Sequence, residues 1–374
     1  MPHAVIVGYT RSPFTPAHKG QLASVRPDDL AAEIIKALVK QTGVNAADIE
    51  DVILGCAFPE GEQGFNLARM VGLLAGLPVT TGGLTVNRWC GSSMEAIHIA
   101  ASNIAAGKGE LFVAAGVESM SRIPMGGFNP LPNPALYATM PDAYIGMGLT
   151  AENVAKKFHV ERAAQEAFAI ASHKKAAAAD LTGEITPITT KAGVVTKDGT
   201  IRAESTPEDL AKLNPAFDVY GTVTAGTSSP LTDGAAAVIV ASEDYAKKHK
   251  LPILARIKSM AISGLDPAVM GLGPISASQK ALARAGLKIS DMDVIELNEA
   301  FAAQSIPCIS ELGCDVAKVN IEGGAIALGH PLGASGARIT GKAALLLSRG
   351  SGKYALATAC IGGGQGIATV LEKV

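Results

Sequence analysis

Lys36–Leu54 reads KALVKQTGVNAADIEDVIL, and Lys280–Leu297 reads KALARAGLKISDMDVIEL. Both run from a helix through Ala-Leu, a Gly and an acidic turn into a Val-Ile strand. A recurrence of this kind predicts two similar halves. Within each copy, apolar residues at helical spacing give way to a short apolar run. Pairing the copies sets Asn298 where Cys56 falls, so equivalent strand ends of the two halves face a shared site. Outward from the repeat, strand-like runs alternate with Ala-rich helical stretches, beginning with AVIVG at Ala4–Gly8. That alternation predicts an α/β fold with mostly parallel sheets.

One region breaks the alternation. After the strand Leu111–Ala115, the chain enters SRIPMGGFNPLPNP and carries amphipathic helices over Thr150–Phe158 and Arg162–Ala179. It regains a strand only at Gly234–Ala241. Long excursions of this sort are usually functional. We therefore expect a first half made of residues 1–118 and 232–253. Residues 119–231 are an inserted loop domain carrying a substrate channel, and residues 254–374 are the second half.

Composition excludes several classes. The chain has 374 residues, 48% hydrophobic and 18% charged, with a net charge of −2. Disorder requires the opposite balance. So little charge to cover a surface predicts a large core and a buried subunit interface. The absence of a basic stripe argues against nucleic acid. No apolar run reaches the ~18 residues of a transmembrane helix. The N-terminal stretch is poor in acids, as transit peptides are, but its AVIVG strand favours a cytoplasmic reading. The five cysteines form no CxxC pair, and their odd number in a long chain argues against a disulfide scaffold. Cys90, His330 and Cys360 lack the close ligand spacing of zinc sites, so we expect no metal.

Cys90 carries the most chemistry. It lies between a strand at Leu84–Asn87 and a helix at Met94–Ala106. A strand-turn-helix elbow lifts a nucleophile toward a ligand. The positive end of the helix also lowers a thiol pKa. The bland alternative is a small buried hydrophobe. His330 lies in GGAIALGHPLGASG, Gly323–Gly336, ahead of a helix at Ala337–Leu347. A nucleophilic Cys needs such a base. Its alternative is a passive loop His. Cys360 follows a strand at Tyr354–Ala357 and precedes IGGGQG, whose N–H groups suit an oxyanion hole. A thiol there can titrate near neutral pH and serve as acid or base. Asn298 follows the strand Val294–Leu297, where it either orients a water or caps the next helix. Glu299 holds that water or is structural.

Together these blocks resemble the thiolase family over nearly the whole chain: NRWCGSSM at Asn87–Met94, NEAFAAQ at Asn298–Gln304, GGAIALGHPLGASGAR at Gly323–Arg338 and CIGGGQG at Cys360–Gly366. The resemblance implies two αβαβα halves stacked in five layers with an inserted loop domain. It makes Cys90 the acylated nucleophile and His330 its activator. A water held by Asn298 completes one oxyanion hole with His330, and the backbone N–H groups of Cys90 and Gly362 form a second. Cys360 moves the proton of the incoming coenzyme A (CoA) thiol. Met147, Phe217, Ala225, Ser229, Met270 and Phe301 match positions around the pantetheine arm, and Arg202 matches a basic residue near the CoA nucleotide.

The implied reaction is thiolysis of 3-ketoacyl-CoA in fatty-acid β-oxidation, with CoA as co-substrate and no permanently bound cofactor. The chain is then a homodimer or homotetramer, or the β subunit of a complex with a multifunctional α subunit. Biosynthetic acetoacetyl-CoA members carry a His before Met-Gly, where this chain has Gly146. GTVTAGTSSPLTD at Gly221–Asp233 and SMAISGLDPAVMGLGPIS at Ser259–Ser276 resemble degradative members. The alternatives are an acetoacetyl-CoA thiolase with the same machinery and a non-catalytic CoA- or lipid-binding homologue. A decarboxylating ketoacyl synthase is disfavoured by the Cys360 motif.

Overall fold

A computed structural model describes residues 2–374. The first half supplies β1 (Ala4–Arg11), β2 (Asp51–Gly55), β3 (Gly82–Val86), β4 (Leu111–Ser119) and β5 (Thr232–Ser242). The second supplies β6 (Ala255–Gly264), β7 (Val294–Leu297), β8 (Tyr354–Ile361) and β9 (Gln365–Glu372). Their order in space is β3-β2-β4-β5-β1-β6-β9-β8-β7. The halves meet edge to edge where Val5 and Ile6 of β1 pair with Arg256 and Ala255 of β6.

The expectation of mostly parallel sheets is wrong. Only β2–β3, β2–β4 and β7–β8 are parallel. β4–β5, β5–β1, β6–β9 and β8–β9 are antiparallel. The tight glycine turn between β8 and β9 and the long excursion between β4 and β5 both reverse the chain, and apolar runs alone do not reveal strand direction.

The main helices are α1 (Pro27–Thr42), α2 (Leu67–Leu74), α3 (Ser92–Ala105), α4 (Met147–Phe158), α5 (Arg162–Ala178), α6 (Gly273–Ala285), α7 (Ala302–Leu312) and α8 (Leu332–Arg349). The repeat is visible in space. α1 ends on Gly43 at φ 69° and α6 on Gly286 at φ 68°, each followed by a short helical turn and then β2 or β7.

Three apolar cores hold five layers together, the middle one enclosing the central helices on both sides. Val5, Val7, Ala237 and Ile239 face Leu30, Ile34 and Leu38 of α1. The intervening residues Ile6 and Val238 face the middle of the molecule, as the two-residue period of a strand requires. There they meet Ile97 and Ala100 of α3, Ile339 and Ala343 of α8, and Ala357 and Ile367 of the second half. On the far side Ile295, Leu297 and Val370 pack on Ala277 and Ala281 of α6 and Cys308 of α7. The two central helices start side by side because Cβ atoms are missing where they cross the strands. A Cβ on Gly116 would lie 2.1 Å from the Gly333 carbonyl oxygen, and one on Gly333 would lie 2.6 Å from that of Val117.

The excursion leaves and rejoins the sheet at the paired residues Ser119 and Asp233. It is clamped to both halves by buried charge. Arg11 donates to Glu184 at 2.7 Å and to both oxygens of Asp198 at 2.7 and 2.8 Å. Lys342 of α8 pairs with Glu184 at 2.6 Å, and one turn away Arg338 pairs with Glu296 of β7 at 3.0 Å, within the second half itself.

Candidate active site

Cys90 sits on a tight turn, Trp89–Gly91, between β3 and α3. The turn is held from several sides. Trp89 takes φ 41°, a left-handed conformation disfavoured for a bulky side chain. Asn87 Oδ1 accepts from the Trp89 N–H at 2.9 Å, and Ser92 Oγ accepts from the Arg88 N–H at 2.9 Å. Arg88 then reaches across to the other half, donating to Gln365 Oε1 at 3.0 Å. That contact docks the nucleophile turn on the glycine turn carrying Gly362, Gly363 and Gly364.

The sulfur is buried, and the N–H groups of Gly362 and Cys90 itself point at it. These donors pull its pKa down, but burial wins and pushes the thiol up to about 12. The expected lowering by the helix end is therefore overruled in the ligand-free site: removing water from a thiolate outweighs the donors. Cys360 lies within β8 rather than after it. Burial, reinforced by the neighbouring Cys90, lifts its thiol well above the ordinary value. The expectation that Cys360 titrates near neutrality fails for the same reason.

His330 precedes α8, which begins at Leu332, earlier than the sequence pattern indicates. Thr232 Oγ1 accepts from its backbone N–H at 3.1 Å. Its Nδ1 lies 2.5 Å from Ser335 Oγ, which itself donates to the Pro331 carbonyl. We assign the ring proton to Nδ1, with the hydroxyl donating to Pro331, which leaves Nε2 bare toward the Asn298 amide. Asn298 Nδ2 stands 3.3 Å from Nε2. Burial, then the charge of Arg338, depresses the imidazole to about 3. Asn298 does not cap α7, which starts at Ala302. Its Oδ1 is buried without a hydrogen-bond partner among the described residues, a polar atom placed to receive a water. Glu299 is structural: its carboxylate accepts from Ser172 at 2.6 Å, Asn320 at 2.7 Å and the Ile326 N–H at 3.3 Å.

Cys90, His330 and Cys360 line one cavity of about 400 Å³, together with Met147, Phe217, Ser229, Met270 and Phe301. Phe217 stands edge-on to Phe301, ring centres 5.8 Å apart. Arg202 and Ala225 lie elsewhere, in a smaller adjacent cavity that shares Ser228 and Pro230 with the first.

Sequence reasoning passed over Glu118. This buried carboxylate at the end of β4 accepts from the N–H groups of Ala57 (2.8 Å), Phe58 (3.3 Å) and Gly333 (2.9 Å) and from Gln63 Nε2 (2.7 Å). It ties the end of β2, where Cys56 lies, to the first turn of α8 just past His330. An acid within an apolar strand was the available signal.

The fold and this arrangement define a thiolase, and the chain belongs to that family. The thiolase N-terminal domain matches residues 4–244 and the thiolase C-terminal domain residues 251–373. In particular, the chain is 50% identical to the 3-ketoacyl-CoA thiolases of Shewanella oneidensis and Shewanella frigidimarina, over 100% of both chains in each case. It also superposes on human mitochondrial 3-ketoacyl-CoA thiolase in complex with CoA with a TM-score of 0.91, at 39% identity, covering 100% of this chain and 98% of that one.

Proposed function

We propose that this protein is a 3-ketoacyl-CoA thiolase, an acyltransferase that cleaves 3-ketoacyl-CoA with CoA in the β-oxidation of fatty acids. The observation carrying this reading is the convergence of Cys90, His330 and Cys360, from three separate motifs, on one cavity. His330 Nε2 takes the Cys90 thiol proton as the sulfur attacks the keto carbon. The resulting Nε2–H and the water on Asn298 then face the developing oxyanion. The bond between the α carbon and the former keto carbon breaks. The leaving acetyl-CoA enolate takes a proton from Cys360, and the Gly362 and Cys90 N–H groups form the second oxyanion hole. CoA next gives its thiol proton to Cys360 and attacks the acyl-Cys90 thioester. Cys90 leaves as thiolate and recovers its proton from His330. Each thiol is protonated at rest, which burial favours, and ionises only against a partner in the site.

Met147, Phe217, Ser229, Met270 and Phe301 pack the pantetheine arm, while Ala225 and Arg202 meet CoA farther out, in the adjacent cavity. The chain works in the cytoplasm as a homo-oligomer. The open edge of β3, where Leu84 is 40% exposed, with Val79 just ahead of the strand 78% exposed, supports a second copy pairing there.

Intact mass after mixing with a 3-ketoacyl-CoA in the absence of CoA tests the mechanism. Acylation that maps to Cys90 and disappears on adding CoA is the expected result. A folded protein that takes no adduct at any chain length overturns it.

A further inference from the structure

Arg338 and Glu296 form an ion pair at 3.0 Å, with side chains 1% and 0% exposed. The reaction steps make no use of either group. Yet the two stand on the elements that carry His330 and Asn298. On β7, Ile295 and Leu297 face α6 and α7, so the alternation of the strand turns Glu296 and Asn298 to the opposite, central face. The Asn298 N–H still bonds to the Thr358 carbonyl at 2.9 Å, which carries that alternation through to it. On α8, Arg338 lies one turn beyond Ser335, whose Oγ is 2.5 Å from His330 Nδ1. The ion pair thus joins α8 to β7 close behind the point where Asn298 and His330 meet at 3.3 Å.

Stability does not account for this pair. A single hydrogen bond, from Arg338 Nη1 to Glu296 Oε2, holds it. Arg338 Nε and Nη2 and Glu296 Oε1 have no partner among the described residues. A buried ion pair offsets its desolvation only when its remaining donors and acceptors are satisfied as well. The best-attested use of such a pair is to fix one register between the elements that it joins. Neighbouring charges do not share the task. Lys342, one turn further along α8, pairs with Glu184 and Glu322. Glu299, beside Asn298, is bonded to Ser172 and Asn320.

We propose, resting on the thiolase reading above, that Arg338 and Glu296 are positioning residues of the reaction: their ion pair holds the start of α8 and the end of β7 in the register that sets His330 Nε2 against Asn298 Nδ2. Neither side chain touches substrate. The pair decides where the developing oxyanion finds its two donors, so its effect falls on the transition state and not on binding. The charge of Arg338 also reaches the imidazole, where, after burial, it keeps His330 in the neutral form that accepts a proton.

The experiment is steady-state thiolysis of acetoacetyl-CoA and 3-ketodecanoyl-CoA by the full-length protein, in the wild-type and Asn298→Ala backgrounds. Two changes open the pair. Glu296→Asp keeps the charge and withdraws the carboxylate by one methylene. Glu296→Leu with Arg338→Met replaces both members by apolar side chains and leaves no lone charge, a change that buried pairs often tolerate without loss of stability. Misplacing a reacting group by about 1 Å can slow a reaction about 10²-fold, and we expect each change to lower kcat by about tenfold or more. KM should stay within about twofold, as for a contact made only in the transition state. In the Asn298→Ala background either change should cost less than about threefold further, because the contact that the pair aligns is already gone. Far-UV circular dichroism and the urea midpoint establish folding, and Glu296→Asp decides the matter if the apolar replacement does not fold. A folded variant with wild-type kcat overturns the positioning role, and so does a loss of equal size in both backgrounds. Either result leaves the thiolase reading intact. A folded wild type that cleaves neither substrate defeats that reading, and the proposal with it.

Discussion

Asn298 Nδ2 lies 3.3 Å from His330 Nε2, joining the end of β7 to the loop that opens α8. With Nδ1 engaged by Ser335, the amide faces the nitrogen that takes and returns the Cys90 proton in the proposed mechanism. Asn298→Ala removes both this partner and the buried Oδ1. Loss of an oxyanion-hole donor typically lowers kcat by about 10²–10³-fold. We expect a fall of that size with KM little changed, measured by steady-state thiolysis. A variant within twofold of wild type would remove Asn298 from the oxyanion hole.

The Cys90 thiol near 12 and the His330 imidazole near 3 describe a neutral pair at pH 7 rather than a standing thiolate–imidazolium pair. Alkylation by iodoacetamide reports the thiolate fraction. In the substrate-free protein its rate at Cys90 should keep rising from pH 7 to pH 10 without a plateau. A plateau already reached at pH 7 would show a preformed thiolate. Peptide mapping separates Cys90 from the half-exposed Cys314, the other cysteines being buried.

His98 shows how far pattern reading extends. It lies on the buried face of α3. Its hydrogen bond to Thr369 Oγ1 at 2.8 Å joins strands and helices of different halves, which no local pattern contains. Burial depresses the imidazole to about 3. A base whose folded pKa lies below its unfolded value, about 6.5, contributes stability that is present above that value and lost as pH falls toward 3. His98→Gln retains an amide donor for Thr369 but does not titrate. Between pH 7 and pH 4 the wild type should therefore lose stability relative to the variant, read as a falling difference in urea midpoint. Equal pH dependence would show that His98 ionises freely in the folded state.

The repeat of Lys36–Leu54 in Lys280–Leu297 was enough to read the two halves, because a Gly helix stop and an apolar strand are local devices. Cys90, His330 and Cys360, which line one cavity, could be singled out as candidates for a similar reason: each sits at a strand end or helix start marked by glycine. Strand direction was not, since β4 and β5 look alike whether parallel or antiparallel. The protonation of the site was not legible either. A helix start at Ser92 argues for a lowered thiol, whereas the desolvation that reverses it comes from residues gathered across the whole chain. Glu118 escaped notice because all its partners are distant in sequence or are backbone N–H groups.

Arg11 is fully buried in β1 and bonded to Glu184 and Asp198 of the inserted region. Neutralising one member of a buried cluster leaves charges unpaired, at a cost of about 3–5 kcal/mol. Arg11→Met strands Asp198, whose oxygens otherwise receive Arg11 and the Phe14 N–H. The expected result is a lower urea midpoint together with faster proteolysis within residues 119–231. A midpoint equal to wild type would mean that the insertion docks without this clamp.

The edge of β3 carries the prediction about assembly. The strand pairs with β2 on one side only, and Leu84 is 40% exposed. Close by in sequence, Phe65 at 95% and Val79 at 78% leave apolar surface in water. An unpaired, largely uncharged edge is a template for another strand, and a soluble protein that keeps one ordinarily covers it. A second copy meeting β3 edge to edge would extend the sheet and bury these side chains together. Sedimentation equilibrium should then give a mass at least twice the 38.1 kDa of the chain. Leu84→Lys, which places like charges opposite one another across a symmetric junction, should shift it toward the monomer. A wild type that sediments as a monomer at micromolar concentration would show that this edge stays uncovered.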